Sequence, residues 1–142
     1  MSTECSFQKP DDTIKSLKIS VYSFGFQISG IPENEYEDGG GFVFDCRFLP
    51  NPHHNLSLRK FTGLDHEISE FFGDFRSVKC FIEDCVRMVE KAAKSYIDIN
   101  FVNLQVSFGC TGGRHRSVYC AEEFKKIMES KGYYISVEHT EI

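Results

Sequence analysis

Alternating apolar and polar positions predict two strands in the first third of the chain. Residues 17–26 alternate in this way, which indicates a strand ending at Gly25. A second, buried strand is predicted over Gly41–Phe48. The segment between them, 27–41, holds a proline, four acidic residues and three consecutive glycines, so we expect an exposed loop that is either a lid or a solvated connection. Residues 1–16 are polar and predict a loose lead-in to one domain over residues 17–142.

The rest of the chain predicts two amphipathic helices and two further strands. Apolar residues recur at three- and four-residue steps over Asp74–Tyr96, and Asp65 or Asp74 are candidate helix caps. We expect a strand over 98–108, a helix over 115–131 capped by Gly132, and a short strand over 133–137. This order of elements is typical of an α/β fold: a single layered domain with a small, mostly parallel sheet flanked by helices.

Composition narrows the class of protein without identifying a partner. The 142 residues are 41% apolar and 26% charged, and the formal net charge is −5. The surface as a whole therefore does not attract nucleic acid or acidic membranes. No apolar run approaches the roughly 18 residues of a membrane span, and no secretory signal is visible at the N-terminus. The six cysteines then indicate reduced thiols, and we expect a cytoplasmic protein with no membrane partner.

The segment Gly109–Val118 joins the predicted third strand to the following helix and carries the richest chemistry. It contains three glycines, two hydroxyl side chains, two arginines and one thiol. At such a turn, backbone N–H groups and the positive end of the helix dipole point to one spot and form a nest for an anion. The segment therefore predicts a site for a phosphate ester. Its candidate ligand-binding residues are Thr111, Gly112, Gly113, Arg114, Arg116 and Ser117.

A second loop is expected at the end of the neighbouring strand. Two prolines stiffen the segment Leu49–His54, and loops of this kind on a rigid sheet often carry binding groups. His53 or His54 is therefore a candidate to face the anion. Asp45 and Arg47 lie two residues apart, on one face of the predicted strand, and are either a charged pair supporting the site or an ordinary structural ion pair.

The spacing Cys-x-x-Gly-x-x-Arg-Ser from Cys110 to Ser117 resembles the phosphate loop of cysteine-dependent protein tyrosine phosphatases. In that interpretation Cys110 is the nucleophile, Arg116 holds the phosphoryl oxygens and Asp65 is a candidate general acid. The histidine that usually precedes the cysteine in that family is Gly109 here. The alternative is a Cys110 side chain that packs into the core behind the loop.

Other signatures of cofactor chemistry are absent from the sequence. There is no Gly-x-x-x-x-Gly-Lys-Ser/Thr motif and no Gly-x-Gly-x-x-Gly motif, so neither a Walker-type nor a dinucleotide-binding loop is predicted. Cys80 and Cys85 are five residues apart, which places them on different faces of a helix and argues against a shared metal. We therefore expect no cofactor and no metal.

Longer motifs resemble the C-terminal domain of the RapZ family, the bacterial RNase adaptor proteins. They are Ser23–Phe26, Phe42–His53, Thr62–Asp65 and Gly109–Val118, in that order. The resemblance implies a fold like the sugar-phosphate-binding part of phosphofructokinase. It also implies sensing of glucosamine-6-phosphate, binding of small RNA and contacts with partner proteins. The implied ligand site is His53 with Thr111, Gly112, Gly113 and Arg116, which coincides with the predicted anion site.

Two departures from the family limit what the resemblance implies. Full-length members carry an N-terminal nucleotide domain with a P-loop, and this sequence has no such motif, so a binding or regulatory domain is expected rather than an ATP- or GTP-hydrolysing enzyme. Enterobacterial members end in a basic tail, whereas this sequence ends in the acidic segment 136–142. RNA binding is thus an open hypothesis. A protein partner and a homo-oligomer are further expectations of the resemblance.

Overall fold

In the computed structural model of the protein, residues 17–34, 36 and 40–142 are described. The predicted lead-in and part of the acidic loop (Glu35, Glu37 and Asp38) lie outside the described residues. The strands are β1 (Lys18–Gly25), β2 (Gly41–Asp45), β3 (Asn103–Cys110) and β4 (Tyr134–His139). The helices are α1 (His66–Gly73), α2 (Arg76–Asp98) and α3 (Arg116–Ser130), and two short 3-10 turns occupy Pro52–His54 and Leu56–Leu58.

The four strands form one sheet in the order β2-β3-β1-β4, and every neighbouring pair is parallel. Helices α2 and α3 contact each other and both contact the sheet, so they cover the same face. The α/β layered fold expected from the sequence is therefore confirmed. Because all strands run the same way, their carboxyl ends meet at one edge, where ligands bind in sheets of this type.

The core lies between the sheet and the helices. All eight residues of β3 are buried: alternate residues face the helices in the hydrophobic core, and on the other face Gln105 donates to the Pro32 carbonyl of the 27–34 segment. Phe108 is fully buried and its ring contacts those of Phe44 and Phe124, with centroids 5.4 and 5.3 Å apart. Helix α2 contributes Val78, Ile82, Cys85, Val86, Val89 and Ala93 to the core, so its apolar stripe is the buried face that the sequence predicts. Cys80 is exposed, on a different face from Cys85.

Strand β2 is an edge strand and not the buried strand expected over Gly41–Phe48. Its burial alternates between exposed and partly buried residues, and it ends at Asp45. Among the described strands it pairs with β3 alone. In this strand only Phe42 and Phe44 pack against the core. The apolar residues of Gly41–Phe48 therefore led to a prediction of deeper burial than an edge strand has.

The helix boundaries also differ from the expected ones. Helix α2 continues to Asp98, where a strand was expected, and Asn100 then adopts a left-handed conformation with φ of 63° that turns the chain toward β3. The sequence indicated the short helix α1 only through Asp65, a candidate for the residue that caps its start. Asp74 stands at the C-terminal end of α1 and does not cap the start of a helix. Gly132 has φ of 94° and follows α3, as its predicted role as a cap requires.

Truncation of Phe108 tests the assignment of the core. We expect Phe108→Ala to lower the free energy of unfolding by about 3–5 kcal/mol, because it removes a fully enclosed ring and leaves a cavity. Phe48→Ala is the matched control, since Phe48 is 69% exposed and packs only on one side. Urea denaturation of both variants measures the difference, and equal losses would contradict this core.

Candidate functional site

The two predicted loops lie side by side at the carboxyl edge of the sheet. Strands β2 and β3 are neighbours, with Asp45 opposite Gly109, and the Cys46 N–H donates to the Gly109 carbonyl at 2.7 Å. Between the loops lies a cavity of about 310 Å³. It is lined by Asn51, His53, Arg59, Cys110, Thr111, Gly112, Arg114, His115 and Arg116. We refer to Cys110–Arg116 as the anion loop.

Neighbouring segments hold the anion loop in place by donating hydrogen bonds to its backbone carbonyls. The Thr111 carbonyl accepts from the Gln27 N–H at 3.2 Å, and the Arg114 carbonyl accepts from the Gly63 N–H at 2.8 Å. Gly113 has φ of 73°, a left-handed conformation that favours glycine. Since helix α3 begins at Arg116, its first-turn N–H groups and the positive end of its dipole lie at the loop. This is the arrangement that suits an anion.

Arg116 connects the two loops through a buried guanidinium group. The residue is only 6% exposed, and its Nη1 donates to the carbonyls of Arg47 at 2.7 Å and Leu49 at 3.3 Å. Its buried Nε has no hydrogen-bond partner among the described residues. A buried donor of a charged group is costly to leave unpaired. Arg116 lines the cavity, so its guanidinium charge lies beside any group that enters it.

The residues around the cavity carry positive charge and no acidic side chain. Arg59 and Arg114 are exposed at the rim, and the Arg59 Nε donates to the His53 carbonyl at 2.7 Å. The rings of His53 and His115 have centroids 6.5 Å apart. With Arg116 this makes three arginines and two histidines among the lining residues. The protein as a whole has a formal net charge of −5, so this concentration of arginines is local.

His115 is a buried neutral histidine beside the loop. It is 7% exposed, and its Nε2 lies 2.6 Å from the Phe61 carbonyl. A carbonyl can only accept, so Nε2 carries the proton. Burial lowers the pKa of His115 below its ordinary value, and the positive charge of Arg114 acts in the same direction. His115 therefore tethers the anion loop to the 59–63 segment without adding a charge at neutral pH.

Cys110 begins the anion loop and lines the cavity, and it bonds to Ser117, which does not. The Cys110 thiol is 3% exposed and belongs to the hydrophobic core, and it donates to the Ser117 Oγ at 3.2 Å. The Ser117 N–H in turn lies 3.5 Å from the Cys110 Sγ. Ser117 is fully buried and does not line the cavity. The burial of Cys110 favours a thiol that packs into the core, whereas its place in the cavity lining and the Ser117 groups at its Sγ are compatible with a nucleophile.

The predicted supporting residues reach the site only indirectly. Asp45 and Arg47 form an exposed ion pair at 2.7 Å, which holds the pKa of Asp45 below its ordinary value. The Arg47 guanidinium lies 3.9 Å above the Phe26 ring, and only the Arg47 carbonyl touches Arg116. Asp65 accepts from the Thr62 N–H at 2.7 Å and does not line the cavity. It is a turn residue and is not placed as a general acid.

The structure brings together five of the seven predicted ligand-binding residues: His53, Thr111, Gly112, Arg114 and Arg116. Gly113 and Ser117 do not line the cavity. The prediction missed Asn51, Arg59 and His115. Asn51 and His115 lie within the two predicted loops, next to or near predicted site residues, so the sequence could have indicated them. Arg59 lies in a separate loop, and no sequence spacing links that loop to the site.

Two further observations concern other kinds of site. Among residues 17–34, 36 and 40–142, no group of three or more His, Cys, Asp or Glu side chains is arranged to hold a metal ion. Within the same ranges, no helix has the length and apolar character that a membrane crossing requires.

Comparison with known proteins gives one consistent result. The family model described as the RapZ C-terminal domain matches residues 17–142. The chain is 41% identical over 138 residues to the nucleotide-binding protein MS1718 of Mannheimia succiniciproducens, covering 92% of this chain and 42% of that protein. It is 39% identical to the nucleotide-binding protein NTHI1314 of Haemophilus influenzae (91% and 43%) and 40% identical to a nucleotide-binding protein of Pseudothermotoga lettingae (87% and 42%). The chain thus spans about two fifths of the length of these curated relatives.

Thiol labelling tests where the Cys110 side chain lies. Cys80 is exposed and Cys110 is buried, so we expect iodoacetamide to modify Cys80 much faster in the folded protein. Mass spectrometry of the modified peptides measures the two labelling rates. The unfolded protein is the reference, because both cysteines are equally accessible in it. Labelling of Cys110 as fast as Cys80 would contradict a buried thiol and favour the phosphatase interpretation.

Acid should destabilise the protein partly through His115. Because its pKa is lowered in the folded state, the unfolded chain binds a proton more readily as the pH falls below the ordinary value of 6.5. We expect the free energy of unfolding to decrease through this range by more in the wild type than in His115→Gln, whose amide can still donate to Phe61. Denaturation at about pH 7.5 and about pH 5.5, on either side of the ordinary histidine pKa, measures this. Identical pH dependence in both proteins would exclude the burial effect.

Proposed function

Because this chain belongs to the family of the RapZ C-terminal domain, we propose that it binds a small phosphorylated metabolite in the cavity beside the anion loop. The observation that carries the proposal is the buried Arg116, which lines the cavity together with Arg59 and Arg114, while no carboxylate is among the described residues that line it. Arginine is suited to phosphate because its planar fork donates two hydrogen bonds in parallel. The glycine turn and the start of α3 add backbone donors to the same region.

Each lining group has a role in this binding mode. Backbone N–H groups of Thr111 and Gly112 hold phosphate oxygens together with the Thr111 hydroxyl. Arg116 neutralises the charge, and His53 donates a further hydrogen bond that strengthens when the ring is protonated. Gly112 lets the backbone approach closely, since it presents no side chain to the cavity. Arg59 and Arg114 attract the anion at the rim.

The size of the cavity favours a small ligand. Ligand pockets typically measure about 300–1,000 Å³, and this cavity lies at the lower end of that range. An amino-sugar phosphate such as glucosamine-6-phosphate fits this size and is the ligand that the family resemblance implies. The relatives are named nucleotide-binding proteins, so nucleotides are the competing class of phosphate ester.

We infer that the chain acts as a sensor or adaptor and not as a cysteine phosphatase. The phosphatase alternative rests on the spacing from Cys110 to Arg116, yet Cys110 is only 3% exposed and Asp65, the candidate general acid, does not line the cavity. RNA, a protein partner and self-association remain predictions of the resemblance. For RNA, the exposed cations at the rim are Arg59 and Arg114, with Lys60 next to Arg59, whereas Lys126 and Lys131 are paired with Glu123 and Glu90.

Substitution of Gly112 tests the proposal without disturbing the fold. A Cβ added at Gly112 meets nothing within 4 Å, so the variant should fold normally while its methyl group keeps a phosphate away from the loop. Gly73→Ala is the matched control, because Gly73 also has open space and does not line the cavity. We expect Gly112→Ala to bind glucosamine-6-phosphate about tenfold more weakly or worse, the scale of losing hydrogen bonds to a charged group.

Thermal shift with inorganic phosphate, glucosamine-6-phosphate, other sugar phosphates and ATP provides the measurement, because a ligand of the folded state raises the melting temperature. The wild type and Gly73→Ala should respond alike. If no anion shifts the wild type, the proposal fails. If Gly112→Ala responds as strongly as Gly73→Ala, the ligand binds elsewhere. A shift with ATP alone would replace the sugar phosphate by a nucleotide.

A further inference from the structure

The last residues of the chain pack against the rear of the anion loop. We call His139–Glu141 the C-terminal strap. The Thr140 N–H and Oγ1 both donate to the Ser23 carbonyl at 3.0 Å. The His139 ring lies between two partners, with Nδ1 2.6 Å from the Ser23 Oγ and Nε2 2.7 Å from the Glu122 carboxylate. The strap is therefore fastened to β1 on one side and to α3 on the other.

Glu141 extends from this strap over the end of β1. Its Oε2 accepts from the N–H groups of Gly25 at 3.1 Å and Ser29 at 3.0 Å, and its Oε1 accepts from the Ser29 Oγ at 3.0 Å. Burial raises the pKa of Glu141, but these hydrogen bonds outweigh that effect and hold the pKa below its ordinary value. The carboxylate thus stays charged and bonded at neutral pH.

The turn that Glu141 holds is the same turn that supports the anion loop. The Phe26 N–H donates to the Cys110 carbonyl at 2.8 Å, and the Gln27 N–H donates to the Thr111 carbonyl at 3.2 Å. The backbones of the turn and the loop are also in direct contact, because a Cβ at Gly113 would lie 2.5 Å from the Gly25 nitrogen and would collide with the Glu141 side chain. Turn, loop and strap form one packed unit.

A carboxylate so near an anion site works against binding if only charge matters, since like charges repel. The geometry points to a positioning role instead. We propose that Glu141 is a positioning residue of the anion site: it clamps the Gly25–Ser29 turn and abuts Gly113, so that the anion loop keeps the shape that receives phosphate. This inference rests on the proposed function, since it assigns Glu141 to the same site.

Two substitutions separate positioning from charge. In Glu141→Gln the amide oxygen can still accept from Gly25 and Ser29, and the amide nitrogen can donate to the Ser29 hydroxyl, while the negative charge is lost. Glu141→Ala removes the clamp entirely. We expect Glu141→Ala to bind inorganic phosphate and glucosamine-6-phosphate about tenfold more weakly or worse, and Glu141→Gln to bind them as well as the wild type or more tightly.

Two control variants address charge and stability. Glu138→Ala removes an exposed acidic residue of β4 near the strap and should leave affinity unchanged. Tyr133→Phe removes a hydrogen bond to Glu90, remote from the site, and reports what lost stability alone does to binding. Calorimetric titration of all variants well below their melting temperatures gives the affinities. Equal binding by Glu141→Ala and the wild type, or equal weakening in Tyr133→Phe, would overturn the inference.

Amide hydrogen exchange without ligand keeps the inference independent of the proposed function. We expect faster exchange of loop amides from Thr111 to His115 in Glu141→Ala and wild-type rates in Glu141→Gln. If the wild type binds no anion but exchange changes in this way, the proposed function fails and the clamp stands. If exchange in Glu141→Ala stays at the wild-type rate, the clamp is excluded whatever the binding data show.

Discussion

The site depends on one buried cation that joins two separate loops. Arg116 begins α3, and its guanidinium donates to two carbonyls in the segment that follows β2. A cation in this position is stabilised by carbonyl dipoles instead of a carboxylate, so its charge is solvated by the protein without being cancelled. That distinction matters, because a carboxylate partner would offset the charge of Arg116 and weaken its attraction for an anion. The same contacts fix the distance between the loops and hence the width of the cavity.

The distribution of charge follows from the same constraint. The chain carries a net charge of −5, yet acidic side chains are missing from the cavity lining and cations are gathered there. A protein surface with net negative charge disfavours non-specific binding to polyanions. The positive charge around the cavity still produces a local potential that attracts a small anion. An acidic side chain close to the cavity is paired with another residue, as Asp45 is with Arg47.

The parts of the fold that follow from local pattern were predictable from the sequence. The stripe of α2 and the cap at Gly132 follow from periodicity and from glycine conformation. The anion loop could be located for the same reason, since its glycines and arginines are contiguous. Arg59 could not be found, because its place at the cavity depends on how the 52–59 turns fold back onto His53. The edge position of β2 was equally hidden, since strand order is set by long-range pairing and not by the residues of the strand itself.

The strand order has a consequence for how the chain reaches this structure. Strand β1 comes first in the described chain but lies inside the sheet, and its partners come much later: Lys18 pairs with Asn103, 85 residues on, and Ser23 with His139, 116 residues on. Closing such long loops costs entropy before any pairing rewards it. On a ribosome, β1 has no parallel partner until β2 and α2 have been made and β3 has emerged, and the sheet of this domain is complete only when β4 follows. The apolar residues of β1 therefore stay without their native partners while most of the domain is synthesised.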